Sequence, residues 1–155
     1  MVKRYDLHPN IASQSVVQTV ADTATEEEFL VFESVPVGKN KVLVAELLKV
    51  DITINMSTST TSREYIASLK ESITQVNLCR RHARIQALSA SGHIRNENRV
   101  FDLTDGVGNG IIIAKNPIIR LDSSGVGVPA SAVFRLYWRY KEVSQSELIQ
   151  MLGGV

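Results

Sequence analysis

The chain has 155 residues and a mass of 17.1 kDa, of which 44% are hydrophobic and 21% charged, with a net charge of +1. That length suits one domain with a real core, and the composition excludes a disordered tail protein and argues against a strongly basic nucleic-acid coat of the arm-bearing kind. A single cysteine, Cys79, cannot form an internal disulfide, so a buried structural thiol made in a reducing compartment is expected.

The opening MVKRYDLHPN lacks the apolar core of a secretory signal, and no export by that route is expected. Residues 1–25 mix Ser, Thr, Gln and Asn with isolated apolar residues and read as an extended N-terminal arm. Glu26, Glu27 and Glu28 then precede FLVFESV, read as the first buried strand of a domain spanning 26–143. Pro36, Gly38 and Asn40 supply turn chemistry for a hairpin into the run Lys41 to Met56. In its second half Val50, Ile52, Ile54 and Met56 alternate with Asp51, Thr53 and Asn55, which gives one buried and one wet face. Glu46 and Lys49 interrupt the apolar run, which is too short to cross a bilayer, and no membrane insertion is expected.

From Ser57 to Gln75 two periods conflict. Thr61 with Glu64 resembles a capping box, and Ile66, Leu69, Ile73 and Val76 fall at helical spacing, so a short amphipathic helix between strands is the preferred reading. Tyr65, Ala67 and Leu69 also alternate, and a strand stays open. ARIQALS, RVFDLT, GIIIAKN and PIIRLDS read as short strands punctuated by Ser, Gly, Asn and Pro, with SSGVGVPAS a loop. The strongest strand comes last: Ala132, Phe134, Leu136, Trp138 and Tyr140 share one face, and Ser131, Val133, Arg135, Tyr137, Arg139 and Lys141 the other. Strands in this number without a βαβ rhythm predict an all-β fold, an antiparallel eight-stranded jelly-roll sandwich. The tail 144–155 is a helical turn or two, or extended, and its Leu148, Ile149, Met151 and Leu152 are too apolar for water. They are expected to dock on this subunit or another.

Candidate chemistry is sparse. Gly106, Gly108 and Gly110 match no nucleotide loop in context, because IIIAKNPIIRL follows them where a helix N-terminus and a Lys-Ser or Lys-Thr pair would be needed. A tight turn with positive-φ glycines is expected instead. Asp102, Asp105 and Asp122 match no EF-hand spacing and read as solvated turn residues, so no metal site is expected within one chain, with a calcium ion shared between subunits left open. His8, His82 and His93 lie in polar segments without a nucleophile motif, and neither an enzyme nor a cofactor is expected. The one concentration of charge is Arg80, Arg81, Arg84, Arg95 and Arg99, relieved by Glu97. Arginine pairs well with phosphate, so Arg80, Arg81 and Arg84, with Lys3 and Arg4, are the candidates for weak nucleic-acid contact; a solvated loop or intersubunit salt bridges is the alternative.

One stretch, LTDGVGNGIIIAKNPIIRLDSSGVGVPASAVFRLYWRYKEVSQSELIQMLGG, resembles the C-terminal half of small capsid proteins encoded by circular single-stranded DNA viruses and their metagenomic relatives. The likeness lies in the turn Asp105 to Gly110, the apolar Ile111 to Ala114, the loop Ser123 to Gly127, and Tyr137 to Val143 followed by Glu147, Leu148 and Ile149. FLVFESVPVGKNKVLVAELLKVDITI is similar to their first hairpin. The resemblance implies a single jelly-roll subunit that assembles with copies of itself into an icosahedral shell around a genome, found in the virion and made in the host cytoplasm or nucleus. The sequence departs from the pattern in its arm, where two basic and two acidic residues cancel. A β-sandwich binding module for carbohydrate or protein is the alternative, disfavoured by a single Trp.

Overall fold

A computed structural model describes residues 10–18, 24–29, 35–56, 63–71, 77–85, 95–124 and 130–152. These residues form β1 (Asn10–Gln18), β2 (Ala24–Glu28), β3 (Val35–Gly38), β4 (Lys41–Met56), β5 (Arg63–Lys70), β6 (Asn77–Ile85), β7 (Arg95–Asp102), β8 (Ile111–Ile113), β9 (Ile118–Ser124), β10 (Ala130–Ser144) and α1 (Gln145–Met151).

The strands build two antiparallel sheets. In the first, β10 lies between β1 and β4, and the far side of β4 is lined in succession by β3, β8 and β7. The second has the order β2, β9, β5, β6. The chain is therefore a hairpin rolled up: β1 pairs with β10, β2 with β9, β4 with β7 and β5 with β6. Those eight strands wrap as a jelly roll, and the short β3 and β8 fill the edge of the unusually long β4.

Alternation places the core. Ala132, Phe134 and Leu136 of β10 and Val50, Ile52 and Ile54 of β4 are fully buried, and they meet Tyr65, Ala67 and Leu69 of β5 and Ile119 and Leu121 of β9 from the other sheet. Trp138 and Tyr140 stack edge to face with ring centroids 4.9 Å apart. Between Tyr137 and Trp138 the register to β4 shifts by a bulge that leaves Leu48 unmatched, and its carbonyl accepts instead from Leu103 N at 2.9 Å.

The structure corrects the helix expected between strands. Residues 63–70 are β5, hydrogen-bonded to β6 on one side and β9 on the other. Two ladders and the burial of every second residue outweigh a helical spacing that rested partly on positions outside the described residues. The acidic triplet itself lies in β2, at the margin of the second sheet; of FLVFESV only the buried Phe29 and the β3 residue Val35 are described, so the strand expected there falls mostly outside the described residues. Residues 10–18, within the segment read as an arm, pair along their whole length with β10 and bury Val16. The hairpin at Pro36 to Asn40 forms as expected, with Asn40 in the left-handed region at φ 62°. Among the described residues no helix is long and apolar enough to cross a membrane.

Candidate assembly and nucleic-acid surfaces

The glycine turn uses its N–H groups on the protein's own carboxylates. Asp105 accepts from Val107 N and Asn109 N, each at 2.9 Å, and Asp102 accepts from the Thr104 backbone and hydroxyl. Gly110 N donates to Glu46 Oε1 at 2.7 Å. Donors committed in this way are not offered to a phosphate. Of the three glycines only Gly108 has a positive φ, 86°. Gly110 is needed for a different reason: a Cβ there would stand 2.0 Å from the Leu47 carbonyl oxygen. Nothing crowds Gly106.

The turn lies over Glu46, a residue that sequence reasoning passed over as an interruption. Val42 to Leu47 are six consecutive buried residues, and Glu46 is 1% exposed. Its Oε1 also accepts from Arg139 Nη2 at 2.7 Å, and the same nitrogen donates to the Gly108 carbonyl at 3.3 Å. Burial pushes the Glu46 carboxyl up, but the Arg139 hydrogen bond, the Gly110 N–H and the charges of Arg139 and Lys141 outweigh it and hold it below the usual carboxylate range. The signal available in the sequence was an acidic residue inside LVAELL, which is costly unless paired.

The candidate basic residues separate. Arg80, Arg81 and Arg84 lie in β6, at the margin of the second sheet, opposite Ser68, Ala67 and Glu64 of β5. Arg95 and Arg99 lie in β7, in the other sheet. Lys3 and Arg4 fall outside the described residues. Elsewhere on the second sheet Lys70 and Arg120 are paired: Glu26 Oε1 is 3.0 Å from both Lys70 Nζ and Arg120 Nη1, and Arg120 Nη2 is 3.2 Å from Asp122. Asp122 is thus an ion-pair partner, and Asp102 and Asp105 are turn acceptors.

The tail is helical. Ser144 Oγ accepts from Glu147 N and Glu147 Oε2 accepts from Ser144 N, a complete capping box. Of the four candidate contact residues, Leu148 packs against the core and Met151 is half-buried, whereas Ile149 and Leu152 are 50% and 41% exposed. The helix therefore docks on its own subunit through one side and leaves two aliphatic side chains in water.

No family model and no curated protein matches the sequence. Among solved structures, a chain of Desmodium yellow mottle tymovirus matches with a TM-score of 0.42 at 9% identity, over 88% of this chain and 90% of that one. Chains from the Gx and Gt strains of infectious bursal disease virus match with TM-scores of 0.38 and 0.37 at 8% identity, over 88% of this chain and 37% and 38% of theirs. The chain spans little more than a third of those two, and scores this low leave function to be decided by the chain's own features.

Proposed function

We propose that the chain is a capsid subunit that assembles with copies of itself into an icosahedral shell enclosing a genome, of the kind encoded by the circular single-stranded DNA viruses that its C-terminal motifs resemble. It acts by repeated contact and not by catalysis, and it belongs to the virion. One observation carries this reading: a closed jelly-roll core that nonetheless leaves Ile149 and Leu152 on a capped, docked helix and Ile11 and Val17 on an outer strand in water. Symmetric closure lets small patches, each used many times, hold a large particle. Genome contact is assigned to Arg80, Arg81 and Arg84 and is weak.

Size-exclusion chromatography of the purified protein tests the assembly: the reading expects elution at megadalton size, and a monodisperse monomer that binds glycans overturns it. Retention on a nucleic-acid column across a salt series tests the arginines. Changing Arg80, Arg81 and Arg84 together to serine is expected to flatten the salt dependence, and an unchanged slope removes them from that role.

A further inference from the structure

Strands at the margin of a sheet present unpaired N–H and C=O groups and recruit further strands unless charge, proline, a bulge or shortness blunts them. Most margins of this sandwich are blunted. β2 carries three glutamates, β6 three arginines, and β7 Arg95, Glu97 and Arg99. β3 contains Pro36, and β3 and β8 are only four and three residues long. β1 differs from all of them. Its nine residues, NIASQSVVQ, contain no charge and no proline. They run against β10 without a register shift, and no described strand lies along the other side.

The order of side chains in β1 is nearly the same in both directions. About Gln14, Ser13 mirrors Ser15, Ala12 mirrors Val16, Ile11 mirrors Val17, and Asn10 mirrors Gln18. Two copies paired antiparallel about a two-fold axis through Gln14 therefore set hydroxyl against hydroxyl and aliphatic against aliphatic. An isologous contact requires such self-complementarity. Ile11 and Val17 are 60% and 51% exposed in the single chain, and in this pair each gains a directly opposite aliphatic neighbour. Gln14 Nε2 donates to the Glu28 carbonyl at 2.8 Å, which ties β1 to β2 across the sandwich and fixes the strand as a template.

We propose that β1 is a self-recognition edge, joined to β1 of a second copy in an antiparallel pair centred on Gln14. It deepens the capsid reading by naming one two-fold contact, and it rests on that reading only for the size of the final assembly. Glu27 is exposed on β2 at the same margin, so the two copies approach with like charge and the pair strengthens with added salt.

The test co-expresses Ile11→Cys and Val17→Cys single variants and oxidises the product. Directly opposed positions are within disulfide reach, whereas the two copies of residue 11 lie roughly 20 Å apart, six residues along the strand. The native Cys79 is buried, with burial pushing its thiol up to about 12, and stays silent in the folded protein. A cross-linked dimer from the co-expressed pair, absent from either variant alone, is expected. No dimer from the pair, or equal dimer from the single variants, overturns the proposal. Sedimentation of Ser13→Lys, a substitution at an exposed edge position, provides a readout without cross-linking: a shift to smaller species than the unaltered protein gives is expected, and an unchanged sedimentation profile contradicts it. Shells from the co-expressed variants that give no cross-link on oxidation would sink the β1 contact alone, and cross-linked dimers that grow no further would sink the shell alone.

Discussion

Glu46 and Arg139 meet across the β4–β10 ladder, one carboxylate oxygen accepting from the guanidinium at 2.7 Å beneath the turn that ends at Gly110. Three parts of the chain far apart in sequence converge on that oxygen, so the pair fixes the turn to the sheet. Its other oxygen, Oε2, is buried with no hydrogen-bond partner among the described residues, and the carboxylate therefore depends heavily on Arg139. Arg139→Ala is expected to cost about 3 kcal/mol, the low end for breaking a buried pair, because the arginine is itself 29% exposed. Glu46→Gln keeps an acceptor for Gly110 and is expected to cost roughly 1–2 kcal/mol. Urea denaturation midpoints check both values and their order.

Acid should loosen the same region. Glu46 is held below its ordinary range, and so is Glu26, first through its hydrogen bond from Lys70 and then, against burial, through Arg120. Hydrogen bonds from Thr104 lower Asp102, and N–H groups of Asn109 and Val107 lower Asp105. A carboxylate whose folded pKa is depressed contributes stability that is complete above its unfolded pKa, about 4 for these groups, and is lost as pH falls through the folded value. Thermal midpoints are expected to hold from pH 7 to about 5 and to fall below about 4, with a shallower fall in Glu46→Gln. Parallel curves for the two proteins would remove Glu46 from the effect.

The three glycines of the turn should rank in a definite order. Gly110→Ala drives a methyl into the Leu47 backbone and is expected to be the most damaging, by more than about 3 kcal/mol. Gly108→Ala strains a left-handed residue at about 1–2 kcal/mol. Gly106→Ala meets open space and is expected to be neutral or to stabilise by about 0.5 kcal/mol. Denaturant titration of the three variants checks the ranking.

The jelly roll was legible in the sequence where one period ruled alone. β10 alternates from Ala130 to Trp138, where its buried face is the expected one, and loses the alternation beyond it, where Tyr140 is only half-buried. The second half of β4 behaves likewise. β5 was not legible, because Ile66 and Leu69 also satisfy helical spacing, and only hydrogen bonds to its neighbours, β6 and the sequence-distant β9, decide between the periods. Glu46 was missed for a related reason: its partner stands 93 residues later, opposite it only once a bulge has shifted the ladder. The candidate arginines form one segment of the sequence, but β6 and β7 belong to different sheets, so charge adjacent in sequence is divided in space.

The tail should separate stability from assembly. Ile149→Ser with Leu152→Ser changes side chains that already stand in water and is expected to leave the thermal midpoint within about 2 °C while reducing the assembled fraction. Leu148→Ala removes a side chain packed on the core and is expected to cost about 1–3 kcal/mol. Differential scanning calorimetry alongside light scattering distinguishes the two effects. Loss of stability in the double serine variant would show that these residues serve the fold.

Negative-stain electron microscopy of the purified, unaltered protein decides whether the subunits close into shells. Closed spherical particles of uniform diameter are the predicted result. A field of isolated subunits across protein concentration and salt, from a protein shown by circular dichroism to be folded, would contradict the capsid reading.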